Sequence, residues 1–337
     1  MFSPGTLNGL LAQRLQRGAE SPACSASGGR RDDPQSVTWQ QLSERAFSFA
    51  AGLLALGLRH GARVGVVGPL GLQAFIAELG TLFAGGVHVG LHEQWTQEEL
   101  LAALRVSGCS FVMTGSRELA LRLVALREQL PELERVVSWG RAASLPGVLP
   151  FGQICLRGEE VEPRSSHAGP RSLRAAKTDE LAIVTFEEGE PTRGHALTHG
   201  AAHHQAKLMA EVTGIEASDV VLSLVPAGRF GSYHHSYHLA LATGAHLVLP
   251  NSPRGWLEAA EALRPTVIAI EQQDVAQFTR VALSASPYGI DLWRWLRAGQ
   301  HDLFLLDAQA RRVTYLPMAD GAVYSVSLTP AGLLAQP

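Results

Sequence analysis

The residues of this 337-residue chain best suited to chemistry lie in one short stretch, Thr185 to His199, reading TFEEGEPTRGHALTH. Thr185 and Thr198 bring hydroxyls, Gly189 and Gly194 bring backbone that no side chain shields, and Arg193 brings a fixed positive charge. Hydroxyls, bare N–H groups and a cation in one turn are the groups that hold a phosphate. Glu187, Glu188 and Glu190 argue the other way. A carboxylate about 4 Å from a phosphate charge costs roughly 4 kcal/mol at an effective dielectric near 20, about a thousandfold in binding. Read without context, the stretch is most simply a solvated strand-to-helix turn, and otherwise a carboxylate cluster for Mg²⁺ or Ca²⁺ whose remaining ligands nothing fixes.

Other reactive residue types are more scattered. His199 with His203, and His234 with His238, have the i, i+4 spacing that puts two imidazoles on one helix face, as a zinc or nickel site requires. Neither pair has the adjacent glutamate of HExxH, so surface or structural histidine is the plainer reading, and no metal ligand is assigned. GVVGPLG at 65–71 is not the GxGxxG of a dinucleotide turn and is read as close packing. Cys24, Cys109 and Cys155 are odd in number and lack CxxC spacing, which excludes a disulfide framework and a cysteine zinc site. A reducing, cytoplasmic compartment is the simplest expectation. With a formal net charge of −3, the chain offers no basic field for nucleic acid, and no apolar run is long enough for a membrane span.

These residues need elements to position them. Thr38 with Gln41, and Thr96 with Glu99, form capping boxes ahead of amphipathic helices, the first carrying Leu42, Ala46, Phe49, Leu53 and Leu56. Between helices lie the short apolar runs RVGVVG, VHVG, SFVMTG and ERVVSW, and later LAIVTF, DVVLSLVP, AHLVLP and PTVIAI. Such alternation predicts an α/β fold of two subdomains, with mostly parallel sheets covered by helices. The expected division is an N-terminal subdomain at 1–140, an irregular linker at 141–178, a second subdomain at 179–283, and a C-terminal helix (DLWRWLRAG) with a β-hairpin around Asp320 and Gly321 at 284–337. The polar stretch GAESPACSASGGRRDDPQS is expected to be a loop.

Taken together, VTWQQLSERAFSFAAGLLALGLRHGARVGVVGP, FAGGVHVGLHEQWTQEELLAALRVSGCSFVMTG, DELAIVTF…TRGHALTH, DVVLSLVPAGRFG and LRPTVIAI resemble, in order, segments of the adenylate-forming (AMP-binding) superfamily, the acyl-CoA synthetases and their relatives. The resemblance runs from about Ser36 to Asp274. It implies the N-terminal domain type of those ligases and a fatty-acid or other carboxylate substrate, with ATP, Mg²⁺ and coenzyme A as cofactors by resemblance only. Counted back from Thr198, Gly194 takes the family's loop glycine and Arg193 its lysine, while Thr185 and Gly189 keep a suitable residue type. The glutamates replace the rest. Arg229 stands where the family has a histidine, and Phe230, Tyr233 and Tyr237 fall along its acyl tunnel.

The family's T-G-D segment is missing from the sequence, and Lys177 and Lys207 are its only lysines, so no residue is assigned as catalytic and no C-terminal domain is recognised. The expectation is a pseudoenzyme deficient in adenylation that binds an acyl or carboxylate ligand. An active synthetase, a carrier protein or a second copy of the chain are the partners the resemblance allows. Two alternatives stand beside it: an AMP-forming ligase completed by a partner chain, and a metal-binding protein built on the histidine pairs.

Overall fold

Both capping boxes are formed. Thr38 accepts from the Gln41 N–H at 3.2 Å and its own N–H reaches the Gln41 side chain at 3.1 Å; Thr96 and Glu99 do the same at 3.2 and 2.8 Å. Each cap contributes about 1 kcal/mol and fixes where its helix starts. The computed structural model describes residues 2–27, 35–68, 70–161, 175–187, 189–224, 234–250, 259, 263, 265–271, 303–307, 312–315 and 324–327. In chain order the first elements are α1 (Leu7–Gly18), β1 (Pro22–Ser27), β2 (Gln35–Thr38), α2 (Trp39–Ala55), β3 (Arg63–Val67), α3 (Leu72–Phe83), β4 (Val87–Leu91), α4 (Gln97–Ser107), β5 (Cys109–Thr114) and α5 (Arg117–Leu126). Then come β6 (Arg135–Ser138), β7 (Val148–Pro150), α6 (Phe151–Val161), β8 (Leu181–Glu187), β9 (Glu190–Thr198), α7 (His199–Thr213) and β10 (Val220–Ser223). A π-helical turn (His234–His238), α8 (Leu239–Thr243), β11 (His246–Pro250), β12 (Val267–Glu271), β13 (Leu303–Asp307), β14 (Arg312–Tyr315) and β15 (Tyr324–Ser327) complete them.

The first unit comprises Met1–Ser21, Thr38–His204 and Pro226–Tyr233. Its sheet has the order β7-β6-β5-β3-β4-β8-β9, parallel throughout except for the last pair. The pleat divides the sheet's side chains. Val67, Val89, Leu91 and Val112 pack against Leu100, Leu104, Leu119 and Leu123 of α4 and α5, while His88, one residue from Val89, meets Glu78 of α3 on the other face. On that face α2 lies against α3 and α6. Its backbone approaches α6 so closely that a Cβ on Gly158 would overlap the Ser48 carbonyl, and one on Gly52 the Ile154 carbonyl. Glycine is therefore what permits this helix crossing.

In the second unit (Pro22–Val37, Gln205–Val225, His234–Pro337) the sheet order is β15-β14-β13-β12-β10-β11-β1-β2. β12, β10, β11 and β1 run parallel, and β13, β14 and β15 continue antiparallel. The α/β class with mostly parallel, helix-covered sheets is as the sequence predicts.

Three local expectations change. The stretch read as a loop carries β1, whose small residues Ala23, Cys24, Ser25 and Ala26 are buried beside β11. Residues read as the start of an irregular linker form β7 and α6. The segment after Gly189 is not a loop but β9, paired antiparallel with β8. The helix expected at DLWRWLRAG lies outside the described residues. Near the C-terminus β14 and β15 pair, Arg312 opposite Ser327 and Tyr315 opposite Tyr324; the expected turn at Asp320 and Gly321 is outside the described residues.

Candidate functional site

The TFEEGEPTRGHALTH stretch is a β-hairpin at the edge of the first unit's sheet. β8 brings Thr185 in from the core, with 2% of its surface exposed, and Phe186 is fully buried. The Phe186 carbonyl accepts from His92 Nε2 at 3.2 Å, which requires the proton on Nε2. His92 lies 4.6 Å from Trp95 between ring centroids, and Trp95 meets Phe186 edge-on at 5.6 Å. This aromatic prop fixes the end of β8. Beyond it Glu187 pairs with Glu190, and Gly189 turns the chain at φ +75°, a left-handed conformation that glycine adopts without strain. Thr185 faces His195 and Phe186 faces Gly194 across the hairpin; a Cβ on Gly194 would sit 3.4 Å from the Phe186 ring.

Charge on the hairpin is partly self-cancelled. Arg193 Nη1 lies 3.4 Å from Glu190 Oε2, with the side chains 63% and 52% exposed. The one cation of the stretch is thus held by one of its own acids. Thr198 is placed elsewhere: its hydroxyl accepts from the Ala201 N–H at 3.2 Å and caps α7. Eight residues of extended strand, about 26 Å, separate it from Glu190. Thr185, Gly189, Arg193 and Gly194 thus all lie along the hairpin, and Thr198 lies at its far end. Glu188, Arg229, Phe230 and Tyr233 lie outside the described residues. Tyr237 is fully buried in the second unit's π-helical turn.

Histidine chemistry is constrained by burial. His238 is fully buried, and the loss of hydration pushes its imidazole down to about 3, leaving it neutral at physiological pH. His199 is 2% exposed at the start of α7. Among the described residues no three His, Cys, Asp or Glu side chains gather as a metal site. Sequence reasoning missed the Glu78–His88 pair, both fully buried, with Glu78 Oε2 4.0 Å from His88 Nε2. Burial outweighs the imidazole and pushes the carboxyl up to about 7. The missed signal was available: Glu78 is the one charged residue of a mostly apolar helix. The His92–Trp95 prop had none, because its partner is 94 residues away.

Comparison with known proteins supplies the context. The family model described as AMP-binding enzyme matches residues 11–273. A substituted-propanoyl:CoA ligase of Rhodococcus jostii is 28% identical over 222 residues, covering 63% of this chain and 42% of that protein. The chain thus spans about two fifths of that relative's length. Among solved structures, VinN in complex with 3-methylaspartate superposes with a TM-score of 0.67 at 16% identity, covering 94% of this chain and 90% of that one. An anthranilate CoA ligase, AuaEII, in complex with anthranoyl-AMP gives a TM-score of 0.63 at 21% identity, over 78% of this chain and 48% of the other. At these identities the structures speak to fold alone.

Proposed function

The chain belongs to the AMP-binding enzyme family, and from that premise we propose that it is an acyl-CoA-ligase-like protein that binds an acyl or carboxylate ligand but does not hold Mg·ATP in the family's usual pose. The observation that carries this reading is the Arg193–Glu190 pair at 3.4 Å. An arginine can replace a phosphate-binding lysine, since its planar fork matches phosphate oxygens. Here one nitrogen of that fork faces Glu190, and two further acids, Glu187 and Glu188, immediately precede Gly189 in the sequence. A triphosphate entering this hairpin meets repulsion where it needs donors. Gly189 remains suited to phosphate, whereas Thr185, 2% exposed, is drawn into the core.

The ligand side of the proposal is a pseudoenzyme role in the fatty-acid or other carboxylate-activating branch of the family, partnered by an active synthetase or a carrier protein. Retention of the hairpin and its left-handed Gly189 favours one second reading, a ligase whose remaining groups come from a partner chain. Mg·ATP binding separates the two, since a ligase completed by a partner chain requires it of this chain and the first reading denies it. The first reading predicts no pyrophosphate exchange with any carboxylic acid for the purified chain, and Glu187→Ser with Glu188→Gly together should raise nucleotide affinity. Exchange by the unaltered chain overturns it.

A further inference from the structure

The first unit holds a second concavity away from the hairpin, a cavity of about 260 Å³ between α2, α3, α6 and the turn after β6. Trp139 and Phe151 line it, their ring centroids 5.9 Å apart and their planes at 78°. Phe49 stacks behind Phe151 at 4.4 Å and holds that wall in place. Four polar groups in the lining are already engaged. The hydroxyls of Ser48 and Ser138 donate to the carbonyls of Glu44 and Thr114, and Cys155 and Glu159 have interactions of their own. Among the described residues, Arg45, exposed, and Gln73, half-buried, have neither a hydrogen-bond nor an ion-pair partner for their side chains. The groups that meet a ligand are thus the Arg45 guanidinium, the Gln73 amide and the half-buried Trp139 ring, over a wall made by Phe151, 7% exposed, with the Glu159 carboxylate also in the lining.

We propose that this cavity binds a small aromatic carboxylate, its ring against Trp139 and its carboxylate on Arg45, with the Gln73 amide beside it and the charge turned away from Glu159. A guanidinium matches a carboxylate in two parallel hydrogen bonds, and aromatic walls favour a flat, rigid partner. The volume lies just below the roughly 300–1,000 Å³ of drug-sized ligand pockets, so one ring with its carboxylate fits and a long acyl chain does not. This is a separate site from the hairpin. β6 and β8 stand four strand steps apart in the sheet, across β5, β3 and β4, which is about 19 Å. The inference requires neither nucleotide nor turnover.

Cys155 provides the reporter, because it lines the cavity and is half-buried. Cys24 and Cys109 are buried, with their thiols pushed up to about 12 by loss of hydration, and serve as silent internal controls. Iodoacetamide labelling of the full chain, read by intact mass, should be slowed saturably at Cys155 by benzoate, with half-effect near or below about 1 mM. Benzamide, the same ring without the charge, should be about tenfold weaker, and Arg45→Gln should bring benzoate down to the benzamide level. Ligand-observed saturation-transfer NMR on the same samples gives a reading independent of thiol reactivity. Equal protection of Cys155 by benzoate and benzamide, undiminished protection of Cys155 by benzoate in Arg45→Gln, or no binding by either method would overturn the proposal.

Discussion

Replacing Glu190 by Gln should release Arg193 for phosphate. The two charges lie 3.4 Å apart. Coulomb's law at that separation gives about 5 kcal/mol at an effective dielectric of 20 and about 1 kcal/mol in water. With the side chains 63% and 52% exposed, the lower figure applies. Removing the acid deletes one repulsion and frees one guanidinium, so affinity for Mg·ATP should rise about fivefold at low salt, the equivalent of about 1 kcal/mol. The gain should shrink as salt shortens the Debye length from about 10 Å at 0.1 M. Thermal unfolding should scarcely move, since an exposed pair contributes at most about 1 kcal/mol to stability. The assay is displacement of a fluorescent nucleotide across an ionic-strength series. Arg193→Gln in the same background should abolish the gain. An unchanged affinity in Glu190→Gln, or a gain that survives loss of Arg193, would refute the electrostatic reasoning.

Two further outcomes test the fold beneath the site. Gly158→Ala drives a methyl into the Ser48 carbonyl at the α2–α6 crossing, so urea denaturation should show a loss of about 1–3 kcal/mol; a neutral result would mean that the helices do not meet this closely. Glu78 has its carboxyl raised from 4.5 to about 7, so the folded chain binds this proton more tightly than the unfolded chain does. The associated stability is present below about pH 4.5 and is lost as pH rises through about 7, a change of about 3 kcal/mol. Glu78→Gln should flatten that part of the stability profile, and an unaltered slope would remove Glu78 from the account.

The elements that could be read directly from the sequence are those whose signals are local. Thr38–Gln41 and Thr96–Glu99 mark helix starts within four residues, and buried strands such as β3 and β5 are continuous apolar runs. β1 escaped notice because Pro-Ala-Cys-Ser-Ala-Ser has neither alternation nor bulk, and its burial is decided by β11, more than 200 residues away. β9 escaped for a different reason. It is a mostly exposed edge strand whose identity comes from pairing with β8, and its sequence is that of a polar loop. α6 did carry a local clue, Phe151, Ile154 and Gly158 at helical spacing on its buried side, which the surrounding glycines and prolines obscured. At the candidate site, residue types pointed to the hairpin, but spacing alone did not reveal that Thr198 would serve as a helix cap or that Arg193 would turn to Glu190.

The most direct test of the acidic hairpin is a calorimetric titration of the full chain with two ligands, Mg·ATP and a non-hydrolysable acyl-adenylate analogue that lacks the outer phosphates. The account predicts measurable binding of the analogue and binding of Mg·ATP weaker by orders of magnitude, up to about a thousandfold. Comparable, tight binding of both would contradict it.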